Sequence, residues 1–210
     1  VGLGSHRYRL TVRGPGGHSW SDWGLPNPIH ALGAAVGELS ARALPTEPVG
    51  TLTVARWGGG TSVNAIPSEA WIEVDLRSPS PQVLEEVDRD LHATVKSAVE
   101  EMNTRAPTGT RLELETTRIG ARPAGQTSWD APLLRAARTS TEAVGAAPET
   151  SIASTDANVP MSLGIPALTL GGGGRAGGMH TVDEWYENDQ GSLGVLRVLF
   201  TTLLALENGA

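Results

Sequence analysis

Cysteine is absent from the sequence. Disulfide frameworks, thiolate nucleophiles and thiolate zinc sites are therefore excluded together, and any metal centre must be built from His, Asp and Glu. Lysine is nearly absent as well: Lys96 is the only one, so arginine carries the rest of the 16 basic side chains. With a net charge of −7 and a pI near 5.2, no Lys/Arg-rich face is available to neutralise phosphates, which argues against nucleic acid as a partner. No stretch approaches the ~18 consecutive apolar residues of a membrane span, and no charged-then-apolar leader opens the chain. An initiator methionine is also missing. The sequence begins on "VGLGSHRYRL", which reads as the approach to a strand, so the chain is expected to be a fragment. Its compartment is not encoded here, and a cytoplasmic location is the working expectation.

What is present is ample for folding, since 39% of the 210 residues are hydrophobic. "HRYRLTVRG" (6–14) alternates Tyr8, Leu10 and Val12 with polar residues, the period of a half-buried strand. "NPIHALGAAVGELSARAL" (27–44) predicts a helix, with Asn27 as N-cap, Pro28 at the first helical position and Ile29, Leu32, Val36 and Leu39 at helical spacing. Two strand-like runs follow, 50–57 and 70–78, joined by "GGGTSVNAIPSE". Ser80 and Pro81 open a second helix whose apolar face carries Leu84, Val87, Leu91, Val95, Ala98 and Met102. A strand over 110–119 completes a βαββαβ order, the split-βαβ ferredoxin-like pattern. The turn-rich "GARPAGQTS" (120–128) reads as a boundary. Beyond it the pattern predicts a helix near 129–145, a strand near 150–153, a short helix from Asp156, a strand over 165–170, a glycine run and an apolar helix near 190–207. These pieces look like an incomplete α/β layer, because one or two strands cannot form a sheet that both helices cover.

Five histidines are candidates for chemistry. His6 falls in a strand, and His30 and His92 fall in helices, where surface or satisfied structural roles are expected. His18 lies in the loop "GPGGHSWSDWG" beside Trp20 and Trp23, the kind of segment that holds binding groups on a rigid scaffold. His180 in "GGMHTVDEW" follows a glycine run that can bring backbone close to a ligand, and an imidazole there can ligate zinc. Downstream, Thr181 and Glu184 also fit a capping box. A catalytic zinc needs about three protein ligands, yet the sequence holds no His-x-Asp and no His-Glu-x-x-His. Its Glu-Glu pairs, Glu85-Glu86 and Glu100-Glu101, fall on the second helix as solvated surface. Asn64, in the inter-strand loop, could donate to an oxyanion or simply form an Asx turn. Arg77 could clamp a carboxylate or pair with Asp75.

Four segments in order, "RGPGGHSW…LPNPIHALG", "GGGTSVNAIPSEAWIEVDLRS", "STDANVPMSLGIPALTLGGG" and "GGMHTVDEWYE", resemble the zinc-dependent exopeptidase and amidohydrolase family of carboxypeptidase G, aminoacylase, peptidase T and succinyl-diaminopimelate desuccinylase. The third and fourth are most similar to its peptidase T-like and tripeptidase-like members. The resemblance implies a ferredoxin-like lid and dimerisation domain at 1–119 and, at 120–210, the C-terminal part of an α/β zinc-peptidase catalytic domain. It further implies two zinc ions per intact subunit, with His180 as the last metal ligand. His18 would be the lid histidine that reaches across a homodimer to the substrate, Asn64 the lid asparagine of the same pocket, and Arg77 a contact for a substrate carboxylate. Asp156 and Arg175 would line the pocket. The family's His-x-Asp pair, bridging aspartate and Glu-Glu base precede the lid and are not in this sequence, so the missing ligands are expected upstream of Val1, and the chain alone is expected to be inactive. The substrate class implied is a small peptide or N-acyl amino acid. A non-catalytic ferredoxin-like dimerisation module is the alternative, and a ferredoxin-like regulatory domain that binds a small ligand is a third reading.

Overall fold

The computed structural model describes residues 1–179 and 181–207. Its chain divides into two compact units, Leu3–Ala124 and Val1–Gly2 with Gly125–Ala210. The first contains β1 (Gly4–Arg13), β2 (Gly17–His18), α1 (Pro28–Ala41), β3 (Thr51–Gly59), β4 (Ala65–Ile66), β5 (Glu69–Ser78), α2 (Pro81–Thr104) and β6 (Glu113–Arg122). Four of these strands form one antiparallel sheet in the order β3-β5-β1-β6, the expected ferredoxin-like topology.

Each helix starts where the sequence provides a cap. The Asn27 side chain accepts from the Ile29 amide at 2.9 Å, ahead of Pro28, and Ser80 Oγ accepts from the Val83 amide at 3.3 Å, ahead of Pro81. The helices cover one face of the sheet, where Leu10, Val12, Ile72, Val74 and Leu76 meet Leu32, Leu84, Val87, Leu91 and Val95 in a single core. The opposite face follows from the two-residue period and is a ladder of ion pairs. Arg7 bonds Asp75 at 2.8 Å, Arg9 bonds Glu73 at 2.8 Å, and Arg13 bonds both Glu69 and Glu115. The Arg9 guanidinium also lies 4.1 Å from the centre of the Trp71 ring.

At one end of the core the helix-facing row turns polar. His6 and Tyr8 stand in line with Leu10 and Val12, and α2 answers them with Asp88, itself buried. This carboxylate is shared by His6 Nδ1, by the Tyr8 hydroxyl at 2.7 Å and by His92 Nε2 at 3.0 Å. His6 and His92 thus have the satisfied structural roles expected of them, and exposed His30, Glu85, Glu86, Glu100 and Glu101 are helix surface, also as expected.

The second unit contains α3 (Pro132–Ala143), α4 (Asn158–Ser162), β7 (Arg175–Gly177), β8 (Trp185–Glu187) and α5 (Gly191–Glu207). Three expectations are corrected here. Residues 165–170 form no strand: a strand needs a partner, and the described main-chain bonds of Ala167 run instead to the Thr127 hydroxyl, with Ala167 N–H donating at 3.0 Å. The strand near 150–153 is reduced to one bridge between Gly2 and Ala153. No helix follows Thr181 to cap. The Thr181 hydroxyl donates to the Gly178 carbonyl at 2.7 Å and accepts from Asp183 N–H at 3.2 Å, and the turn leads into β8, paired with β7. The glycine run packs tightly: Gly173, at φ +83°, is so close to α5 that a Cβ on it would lie 2.9 Å from the Gly191 carbonyl oxygen. On α5, Val195, Leu199, Leu203 and Leu206 are exposed. Among the described residues no helix is long and apolar enough to cross a membrane.

Two outcomes follow from the shared carboxylate. Asp88→Ala leaves three buried or half-buried donors without their acceptor and is expected to lower the unfolding free energy by about 3 kcal/mol, read from urea denaturation. Burial first, and then Asp88, push the Tyr8 hydroxyl up to about 12. The folded state thereby favours the neutral phenol, so this contribution is complete below the unfolded value of about 10 and is lost as pH rises toward the folded value. Alkaline unfolding of Tyr8→Phe should lack that step.

Candidate functional site

His18 and Asn64 are brought together by a small ladder away from the main sheet. β2 and β4 pair Gly17 with Ile66 and His18 with Ala65, and the Ser19 amide donates to the Asn64 carbonyl at 3.0 Å. Both side chains are exposed. Ser62 Oγ donates to Asn64 Oδ1, so the amide oxygen is occupied and the NH2 group remains as a donor, the polarity that an oxyanion requires. The His18 ring is held from below: its Nδ1 accepts from the Trp20 and Ser21 amides at 3.2 and 3.4 Å. Trp20 and Trp23, on the same loop, are 87% and 84% exposed.

Arg77 belongs to the same unit but sits on the ladder face of β5. Its Nε donates to Asp75 Oδ2 at 2.5 Å, while Arg7 takes the other oxygen at 2.8 Å. Burial pushes the Asp75 carboxyl up, but the two guanidiniums outweigh it and hold the group below the usual carboxylate value. This is the pairing that the sequence offered as the alternative to a substrate contact.

Asp156 and Arg175 lie in the second unit. Asp156 precedes α4 at the rim of an open cleft of about 720 Å3 lined by Leu133, Thr155, Pro160, Leu168 and Thr201. Arg175 opens β7 and faces Glu187 on β8 at 3.9 Å, an exposed pair. His180 lies outside the described residues. Among the described residues no three His, Asp or Glu side chains come together as a metal site. Sequence reading passed over Ser62 and Asp22, whose hydrogen bonds orient Asn64 and the His18 turn. Both are short polar residues within four positions of a candidate, the only sign of them in the sequence.

Residues 3–103 match the family model described as a peptidase dimerisation domain. The matched segment lies within the first unit and is a domain of that family. No curated protein matches the sequence. Among solved structures, the aminopeptidase PepT of Bacillus cereus aligns with 98% of this chain and 52% of its own length, at 18% identity and a TM-score of 0.74. A tripeptidase of Staphylococcus aureus gives 97%, 52%, 17% and 0.74. An amidase of the hydantoinase/carbamoylase family from Burkholderia multivorans gives 97%, 48%, 19% and 0.63. At these identities the likeness establishes the fold. The chain spans about half the length of the solved structures it matches, and the ferredoxin-like fold expected from the sequence is the one observed.

The depressed Asp75 carboxyl sets an acid limit on the sheet face. A group whose folded value is lowered stabilises the fold fully above its unfolded value of about 4, and this is lost as pH falls through the folded value. Urea midpoints measured downward from pH 5 should fall more steeply for the wild-type chain than for Asp75→Asn.

Proposed function

We propose that the chain is part of a hydrolase acting on small peptides or N-acyl amino acids. Residues 1–119 are its lid and dimerisation domain, and 120–210 the C-terminal part of its catalytic α/β domain. The observation that carries this reading is the placement of two exposed hydrogen-bond donors, His18 in β2 and Asn64 in the turn just before its partner β4, in a peptidase dimerisation domain. When water adds to an amide carbonyl, negative charge develops on the carbonyl oxygen, and donors fixed in advance stabilise it without reorganisation. His18 and Asn64 take that role. Arg77 meets a substrate carboxylate by exchanging it for Asp75, and Asp156 and Arg175 line the substrate pocket. The lid assembles as a homodimer.

Zinc belongs to this proposal through the family, with His180 as its ligand. The described residues do not themselves fit a metal site, and no step is assigned to one. Their contribution is to bind, to orient and to stabilise charge.

The test uses the full-length enzyme with a tripeptide and an N-acyl amino acid as substrates. His18→Ala should lower kcat by roughly 100-fold with little change in KM, Asn64→Ala somewhat less, while Arg77→Ala should chiefly raise KM. An upstream sequence without His-x-Asp and Glu-Glu, or no turnover of either substrate by the full-length protein, would favour a non-catalytic dimerisation module, and a His18→Ala enzyme with unchanged kcat would overturn the role given to His18.

A further inference from the structure

The His18 loop closes on itself through a set of bonds whose centre is Asp22. The His18 amide donates to Asp22 Oδ2 at 2.7 Å, and the Asp22 amide returns a bond to the His18 carbonyl at 3.0 Å. Inside this loop the Trp20 and Ser21 amides both point at His18 Nδ1. A ring nitrogen that accepts from N–H groups carries no hydrogen of its own, so in the neutral ring the hydrogen is on Nε2. The backbone before the histidine is shaped to the same end: a Cβ on Gly17 would lie 2.9 Å from both Cβ and Oδ2 of Asp22, so only glycine lets this carboxylate tuck beneath the turn.

We infer that Asp22 is a positioning residue: by fixing the 18–22 turn, it holds His18 in the Nε2–H tautomer and presents that hydrogen as a donor at the exposed edge of the ring. The inference rests on the proposed role of His18 only for its consequence in catalysis. The tautomer itself is a property of the chain described here. Any other tautomer would set the Nδ1 hydrogen against two amide hydrogens and break the turn. A carboxylate is not essential to the device, because an asparagine side-chain oxygen can accept the same His18 N–H. The bond, rather than the charge, does the positioning.

Two measurements test this. In the 210-residue chain with 15N-labelled histidine, at a pH above about 8 where an ordinary imidazole is neutral, the His18 ring nitrogens should report Nε2–H alone. Asp22→Asn should preserve that pattern, and Asp22→Ala should give a mixture of tautomers. Gly17→Ala, which displaces Asp22 without removing it, should resemble Asp22→Ala. In the full-length enzyme, Asp22→Ala should lower kcat about tenfold with KM nearly unchanged, and Asp22→Asn should restore it to within about threefold. A wild-type ring carrying hydrogen on Nδ1, or a tautomer indifferent to Asp22→Ala, overturns the inference. If His18→Ala abolishes turnover while Asp22→Ala changes neither tautomer nor kcat, only the inference fails. If the tautomer follows Asp22 but His18→Ala is fully active, it is the proposed role of His18 in catalysis that fails.

Discussion

The fold of the first unit depends on β1, a strand hydrogen-bonded on both sides, to β5 and to β6. A strand pinned from two directions cannot slip by one residue without turning its apolar row to water and its arginines to the core. That register sets both faces at once. It aligns Leu10 and Val12 under the helices, puts Arg7, Arg9 and Arg13 opposite their carboxylates, and brings His6 and Tyr8 level with Asp88. It also fixes where the chain leaves the sheet at Arg13, from which the His18 loop departs.

The candidate site is built on different principles from the core that supports it. Its elements are two-residue strands and a five-residue turn, stabilised by short polar contacts with little apolar burial. Such a segment owes its shape to hydrogen bonds that each contribute about 1 kcal/mol, so single side chains such as Asp22 and Ser62 have large local effects. Placing donors there and not within the sheet leaves them open to an incoming carbonyl.

The sequence made the first unit legible because every signal in it was local. Two-residue alternation marked β1, strand-like runs marked β3 and β5, and Asn27-Pro28 and Ser80-Pro81 marked the helix starts. Where an element depends on a distant partner, the same reasoning failed. Residues 165–170 have the composition of a strand, but the Ile165 amide bonds the Pro160 carbonyl and the Ala167 amide and carbonyl bond the Thr127 hydroxyl. Thr181 and Glu184 have capping-box spacing without a helix to cap. The satisfied state of His6 and His92 could be foreseen, yet their common acceptor could not, because 82 residues separate His6 from Asp88. For His18 and Asn64 the types and loops were readable, whereas the bonds that orient them come from Asp22 and Ser62, short polar residues that look like any others in a turn.

The arginine ladder has one more bearing on how such a surface behaves. Interleaved guanidiniums and carboxylates cancel at short range, and what remains is screened by physiological salt over about 8 Å. A charged solute drifting past this flank would experience almost no pull or push until it touched. Electrostatic guidance of an anionic or zwitterionic molecule must therefore come from elsewhere, and encounter with this side of the protein is governed by diffusion and shape.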